Sequence, residues 1–299
     1  MRSGYLSKTY ADSLSEFGTP RFLPGCGGWV LVREIPGTQY RDAMGLYPLF
    51  SCLDWGRITE DLSSLGDLVS LTLVTDPFGG LSRENLKAVF DMADVFKSHC
   101  IVEPVSDYTQ IVSKHHRQYA RKGFAACTVE IEQRPSSFLD TWMELYSVLV
   151  ARHGITGIQT FSRKAFALQL RAPGLVVFKA IAGGQVVGAH LWYVQGNVAY
   201  SHLAATSPQG YDAGASYALH AHAIEHFYRD DAAAWLDLGA GAGATGGASG
   251  LDWFKRGWAQ TTRPTFLCCK VLWPDIYDEL SSDAVRTTYL PAYRGGELV

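Results

Sequence analysis

The segments LVVFKAI (175–181), GG (183–184), QVVGAHLWYV (185–194), QGN (195–197) and VAYSHLAA (198–205) follow one another almost head to tail. The three long runs are rich in β-branched and aliphatic residues, and the pieces between them are too short for anything but reversals of the chain. A glycine pair between two such runs is a hairpin signal. The spacing therefore predicts three consecutive antiparallel strands. Working outward, residues 213–228 read as a long helix, AAWLDLG (233–239) as a strand, GLDWFKRGW (250–258) as a short helix and TFLCCKVL (265–272) as a last strand. Upstream, AACTVEIE (125–132) reads as a strand and SSFLDTWMELYSVLVARHG (136–154) as an amphipathic helix. Phe138, Trp142, Leu145, Tyr146 and Leu149 form its apolar stripe, and Gly154 is its expected stop. SRKAFALQLR (162–171) is a second helix, ended by Ala-Pro-Gly. The order is β-α-α-β-β-β-α-β-α-β.

The N-terminal part is looser. GWVLVREI (28–35) and LVSLTLV (68–74) read as strands, AMGLYPLFSC (43–52) as one or two more, and HCIVEP (99–104) as a short strand. Ser82 is expected to cap a helix in which Leu86, Val89, Phe90, Ala93 and Phe96 repeat at helical spacing. The polar stretch 106–123 separates the two parts, which suggests halves at 1–112 and 113–299. The chain has 299 residues, 47% of them hydrophobic, enough for a sizeable core. Its net charge of −3 excludes wholesale coating of nucleic acid.

The opening residues MRSGYLSKTYADSLSEF lack the apolar run of a secretory signal, and no stretch of 18 apolar residues suggests a membrane span. Cysteines 26, 52, 100, 127, 268 and 269 show no zinc spacing, and a reducing cytoplasm suits them. No metal is implied.

Two motif blocks give the element order a meaning. Ser113-Lys114-His115-His116-Arg117-Gln118-Tyr119-Ala120-Arg121-Lys122-Gly123 contains R-x-x-x-R-K-G. Asp237-Leu238-Gly239, followed by Gly250-Leu251-Asp252-Trp253-Phe254-Lys255-Arg256-Gly257-Trp258, reads D-x-G … G-L-x-x-F-K-x-G-W. Together with the order of elements, these resemble the GNAT acyltransferase superfamily in its FemAB-like branch, over roughly residues 113–272. The resemblance implies an α/β fold with a mixed, mostly antiparallel sheet flanked by helices, in two GNAT-like halves of which the first is degenerate. It also implies direct transfer of an acyl or aminoacyl group from acyl-CoA or aminoacyl-tRNA to an amine, free or on a nucleotide-linked acceptor. The branch's inserted helical arm that binds tRNA has no counterpart here.

Under that resemblance the candidate residues take roles. Lys255 corresponds to a lysine implicated in the transfer step, where a fixed cation stabilises the developing oxyanion. Its bland reading is a surface lysine paired with Asp252 or Asp237. On VAYSHLAA, Tyr200 and His202 share a face that the fold would turn toward the acyl cleft, so His202 is a candidate to deprotonate the amine and Tyr200 to line the site. The alternative for His202 is a satisfied core histidine. His190 is a weaker candidate, His115 and His116 are incidental, and His222 with His226 are packing residues.

On a helix, Lys114, Arg117, Arg121 and Lys122 form one cationic face suited to phosphates, or else a solvated connector. Acetyl-CoA enzymes of the superfamily carry R/Q-x-x-G-x-G/A at the start of the long helix to bind pyrophosphate. Here Gln209, Gly214 and Ala215 fit that pattern, while Asp212 replaces a glycine and suits an ammonium or a hydroxyl instead. Gly241-Ala242-Gly243-Ala244-Thr245-Gly246 matches G-x-G-x-x-G, but no helix, strand and acid follow as a dinucleotide site requires. It reads as a loop or lid rather than the mark of an oxidoreductase. A non-catalytic binding module of the same fold is the remaining alternative.

Overall fold

The computed structural model describes residues 2–103, 110–229, 233–241, 250–282 and 289–295. The chain divides into a larger unit, Met1–Thr9 with His99–Thr262, and a smaller unit, Tyr10–Ser98 with Arg263–Val299. The chain passes between the units three times, once within the helix Lys8–Ser13 and then within the strands Met92–Val102 and Thr261–Val271.

The smaller unit contains α1 (Lys8–Ser13), β1 (Thr19–Leu23), β2 (Gly28–Glu34), β3 (Arg41–Gly45), α2 (Ile58–Ser63), β4 (Ser70–Val74), α3 (Arg83–Lys87) and the start of β5 (Met92–Val102). β1, β2 and β3 pair antiparallel, and β3 pairs parallel with β4. The strand over Thr261–Val271 joins antiparallel to β4, with Leu267 opposite Val74. Edge strand β1 escapes sequence reading because Pro20 interrupts it, and proline is tolerated mainly at sheet edges. Within 43–52 only one strand forms, followed by a single bridge between Phe50 and Thr75.

The helix expected from Ser82 to Phe96 forms only at its start and gives way to a strand at Met92. Ser82 does cap it, in a reciprocal box with Asn85, but α3 stops at Lys87. Leu86 and Phe90 are buried as the helical stripe requires, yet Ala93 and Phe96 lie on β5. Asp91 explains the switch. Its carboxylate accepts from the Val271 N–H at 2.7 Å and from Lys270 Nζ at 3.0 Å, which holds this point of the chain against the neighbouring strand.

The core of the smaller unit gathers Val30, Val32, Phe50, Leu62, Leu71, Leu73 and Phe90. Beside it the fully buried Asp42 accepts from Arg294 Nε at 2.5 Å, Arg33 Nε at 3.2 Å and Tyr293 Oη at 3.2 Å. Removing one partner of such a group leaves a buried charge unpaired. Asp42→Ala should destabilise the protein by about 3–5 kcal/mol, read as a loss of midpoint in urea unfolding; a change under about 1 kcal/mol would show the cluster to be dispensable.

The larger unit continues with α4 (Lys114–Ala126), β6 (Thr128–Ile131), α5 (Leu139–His153), α6 (Arg163–Gln169), β7 (Leu175–Ala182), β8 (Gln185–Gln195), β9 (Val198–Thr206), α7 (Pro208–Asp212), α8 (Ala215–Arg229), β10 (Trp235–Asp237), α9 (Gly250–Arg256) and the start of β11 (Thr261–Val271). A final helix, α10 (Pro274–Ser281), returns to the smaller unit. The fold is mixed α/β with a mainly antiparallel sheet flanked by helices, as expected. β6, β7, β8 and β9 pair antiparallel in sequence order. β10 runs parallel to β9 and antiparallel to the end of β5. Gly183 and Gly184 sit at φ +57° and +78°, the left-handed pair that a two-residue hairpin demands. Gly154 ends α5 at φ +59°.

One face of this sheet meets α8: Phe178, Ala180, Trp192 and Ala199 pack with Leu219, Ala223, Ile224 and Phe227. On the other face Tyr193 and Tyr200 enclose the N-terminal Tyr5, and Tyr193 Oη donates to Gln169 O at 3.0 Å. His202 joins this second face. It falls at a register shift, between the pairs Leu191–Leu203 and Trp192–Ser201, with Tyr5 Oη at 3.2 Å and Gln169 Oε1 at 3.3 Å. Burial pushes its pKa down to about 3, so it is neutral in the folded protein.

An unfolded histidine titrates near 6.5, so below that pH the unfolded chain binds the extra proton and the folded one does not. The contribution of neutral His202 is fully present above about pH 6.5 and is lost as pH falls toward about 3. Between pH 6.5 and 4, stability should fall less steeply in His202→Leu than in the wild type. Equal slopes in paired melts would mean that His202 is not the sensing group.

Candidate active site

The D-x-G turn after β10 is built around a carboxylate. Asp237 is 2% exposed and accepts from the Gly239 N–H at 2.7 Å, while His99 Nδ1 lies 2.8 Å from its Oδ2. That bond closes the turn and leaves Gly239 at φ +74°, where a side chain is strained. A Cβ there would also stand 3.1 Å from Lys255 Nζ. The next residue, Ala240, turns its carbonyl to Lys255 Nζ at 2.7 Å. Asp237 thus shapes the turn, and the turn holds the lysine. Asp252, named as an alternative partner, bonds Arg256, with Nε to Oδ2 at 2.7 Å.

The two motif blocks grip each other. Ser113 caps α4, accepting from the His116 N–H at 3.2 Å, and its N–H donates to Gly257 O at 2.9 Å. The His116 ring then bridges to α9, with Nε2 2.8 Å from Phe254 O and Nδ1 2.8 Å from Ser113 Oγ. A carbonyl can only accept, so Nε2 carries the proton and Nδ1 accepts from the serine hydroxyl. Burial lowers the His116 pKa, with the Phe254 carbonyl opposing and His115 reinforcing, which keeps the ring neutral. The ring fills the space above Gly257, where a Cβ would lie 2.0 Å from its Cε1. His116, read from the sequence as incidental, is the pin between α4 and the helix that carries Lys255. Its spacing from Ser113, serine then histidine three residues on, is the N-cap signal that was available.

Below α9 lies a second pair of rings. On α8, His220 Nδ1 donates to Ser216 O at 2.9 Å; the ring meets Phe254 edge-on at 4.8 Å and lies 4.4 Å from the His190 ring. His190 Nε2 is 2.8 Å from Ser201 Oγ, and its buried Nδ1 has no partner. Burial lowers the pKa of both rings, and the charge of Lys255 lowers both further. The face of β8 and β9 that looks toward Lys255 therefore carries His190 and Ser201. Tyr200 and His202 are enclosed on the opposite face. Strand alternation does not say on which side α8 packs, and the register shift at His202 interrupts it. His220 had no motif to announce it; its i−4 partner Ser216 is the only local sign.

The segment resembling a pyrophosphate turn is closed by its own backbone. The Gly210 N–H donates to Ser207 Oγ, Tyr211 N–H to Ser207 O, Ala213 N–H to Gln209 O and Gly214 N–H to Tyr211 O. Gln209 and Asp212 are exposed on this one-turn helix. Gly214, at φ +71°, lies under α4, where a Cβ on Gly123 would come within 2.6 Å of the Gly214 carbonyl oxygen. The last residue of R-x-x-x-R-K-G is therefore the crossing point of α4 over the start of α8. Lys114 and Arg121 are exposed on α4, Lys122 Nζ lies 4.9 Å over the Tyr119 ring, and Arg117 Nη1 donates to Val112 O at 2.9 Å. Most of the glycine tract, residues 242–249, lies outside the described residues. Among the described residues no group of three or more His, Cys, Asp or Glu is placed to hold a metal, and no helix is long and apolar enough to cross a membrane.

Gly257→Ala should expel the His116 ring and unseat α9. A loss of about 1–3 kcal/mol is expected, the cost of leaving buried polar groups unsatisfied, with little change in overall helix content by circular dichroism. A stability equal to wild type would remove the pin from this account.

Comparison with known proteins bears on the fold. Residues 110–256 match the family described as the acetyltransferase (GNAT) domain. A sequence comparison with curated proteins gives no match. Among solved structures the chain is similar to FemX, with TM-score 0.66 and 14% identity over 91% of this chain and 93% of that one. It is similar to the C-terminal domain of a protein described as a lysylphosphatidylglycerol synthetase from Agrobacterium fabrum, with TM-score 0.61 and 15% identity over 94% and 95%. A structure described as L-PGS from Bacillus licheniformis follows, with TM-score 0.57 and 14% identity over 90% and 93%. At these identities the likeness speaks for the fold. Residues 110–256 are a GNAT acetyltransferase domain, and the chain around them has the fold of the FemAB-like branch.

Proposed function

We propose that the larger unit transfers an activated acyl group, carried as an ester or thioester, directly to an amine, and that Lys255 stabilises the oxyanion. The observation that carries this reading is the anchoring of Lys255 Nζ by Ala240 O on the D-x-G turn. A half-buried ammonium fixed by backbone is preorganised, and a preorganised donor acts on charge that develops during the reaction. An ammonium has three N–H donors, so one can hold the turn while another meets a substrate oxygen. The amine, once neutral and positioned, attacks the carbonyl carbon, and the tetrahedral adduct then expels the donor's alcohol or thiol. No covalent enzyme intermediate is required.

The site favours an aminoacyl ester over acyl-CoA as donor. The N–H groups of Gly210, Tyr211, Ala213 and Gly214, in the segment that would cradle a CoA pyrophosphate, are spent on their own turn. The cationic side chains instead stand on α4, where Lys114 and Arg121 face solvent and suit the phosphates of a charged tRNA or of a nucleotide-linked acceptor. Neighbours named FemX and lysylphosphatidylglycerol synthetase support an aminoacyl donor. A cytoplasmic location fits such a donor.

The test is donor consumption by the purified protein with acetyl-CoA, alanyl-tRNA or lysyl-tRNA, each with glycinamide as acceptor. Turnover with a charged tRNA and none with acetyl-CoA is expected; the reverse would restore CoA, and no turnover with any of them would count for a binding module. With the active pair, Lys255→Met should lower kcat roughly 10²–10³-fold with little change in donor Kd, and Lys255→Arg should recover part of it. Near-normal kcat in Lys255→Met would leave the lysine a structural residue. Lys114→Ala with Arg121→Ala should weaken donor binding at unchanged melting temperature, since exposed charges contribute at most about 1 kcal/mol to stability.

A further inference from the structure

We infer that His220 is the group that takes the amine's proton in this reaction, an assignment that rests on the acyl-transfer reading above. The argument begins with its tautomer. Nδ1 donates to the Ser216 carbonyl at 2.9 Å, which fixes the proton on Nδ1 and leaves the lone pair on Nε2. Nε2 has no hydrogen-bond partner among the described residues. The ring stands edge-on to Phe254 at 4.8 Å, the residue before Lys255, and nearly parallel to Trp258 at 5.9 Å, so α9 holds both the ring and the cation. His190 is fully enclosed behind it, whereas His220 keeps 6% exposure. Of the two, only His220 has an edge from which a substrate can be met.

The charged and titratable groups around the ring are His190 on β8, His116 on α4 and Lys255 on α9. Burial, Lys255 and His116 all disfavour a second proton on His220, against the Ser216 carbonyl, and its pKa is lowered to about 4. The ring is thus neutral wherever the protein is folded near neutral pH, and it does not repel an incoming amine. When the oxyanion forms, it offsets the positive field of Lys255 at the moment the ring must accept a proton.

The step balances as follows in bonds and protons. The amine lone pair forms the new C–N bond, and the carbonyl π pair moves to oxygen beside Lys255. His220 Nε2 takes the proton from the now cationic nitrogen. The oxygen pair re-forms the carbonyl, and the C–O or C–S bond to the donor breaks. The leaving alkoxide or thiolate receives the proton from His220, which returns to its starting tautomer.

His220→Asn is the informative change, because the asparagine amide reaches Ser216 O as Nδ1 does but offers no base at the Nε2 position. With the active donor and glycinamide, His220→Asn should keep the wild-type melting temperature and donor Kd while kcat falls roughly 10²–10⁴-fold. In His220→Ala, added imidazole should restore turnover in proportion to its neutral fraction as pH is varied. Normal kcat in His220→Asn, or no rescue of His220→Ala by imidazole, overturns the assignment while leaving acyl transfer intact. A wild type inactive with every donor overturns both.

Discussion

Everything in the candidate site hangs on one neutral imidazole. His116 holds the α4 cap and the α9 backbone at once, and it can do so only while one nitrogen donates and the other accepts. A protonated ring would have to turn an N–H toward the Ser113 hydroxyl, and that hydroxyl would lose its acceptor in the ring. Gly257 is the geometric counterpart, since the ring occupies the volume of any side chain at that position. With α9 so placed, Phe254 reaches His220 and Lys255 reaches the D-x-G turn. The two sequence blocks that look independent are the two sides of one joint.

The same joint bears on the donor. Helix α4 crosses the start of α8 at Gly123 and Gly214, closer than any residue with a side chain allows. In a fold whose long helix commonly meets a diphosphate at its start, this chain places another helix there and fastens it with aromatic and histidine contacts: Tyr119 lies against Tyr217 at 5.1 Å, and His116 meets the same ring at 5.3 Å. The exposed cations Lys114 and Arg121, on which the proposed phosphate contact rests, stand on that same crossing helix.

Much of the fold was legible. The meander at 175–205, the cap at Ser82 and the stop at Gly154 follow from local rules, because turn and cap chemistry is decided by a few neighbouring residues. What failed was what depends on distant partners. Residues 92–96 became strand because Asp91 is bonded to Val271 far along the chain. Lys255 and Asp237 stand in the two parts of one motif block, and the structure brings both to the D-x-G turn. His202 lies on the face away from α8, and strand alternation gives two faces without saying which one receives that helix. His220 and His116 escaped because a histidine's role is set by the tautomer its partners impose, and those partners are known only after folding.

The interleaving of the chain has a practical corollary for dissection. A fragment starting at 113 would carry all the motifs yet lack Ile101 and Val102, which pair with Asp237 and Leu236 of β10, and Tyr5, whose hydroxyl meets His202. It would expose the strand edge on which the D-x-G turn is built and leave a hole beneath the meander. Linear truncation therefore cannot isolate the transferase unit. A minimal version calls for grafting: residues 1–9 and 99–262, joined by a short designed link that replaces the excised span 10–98.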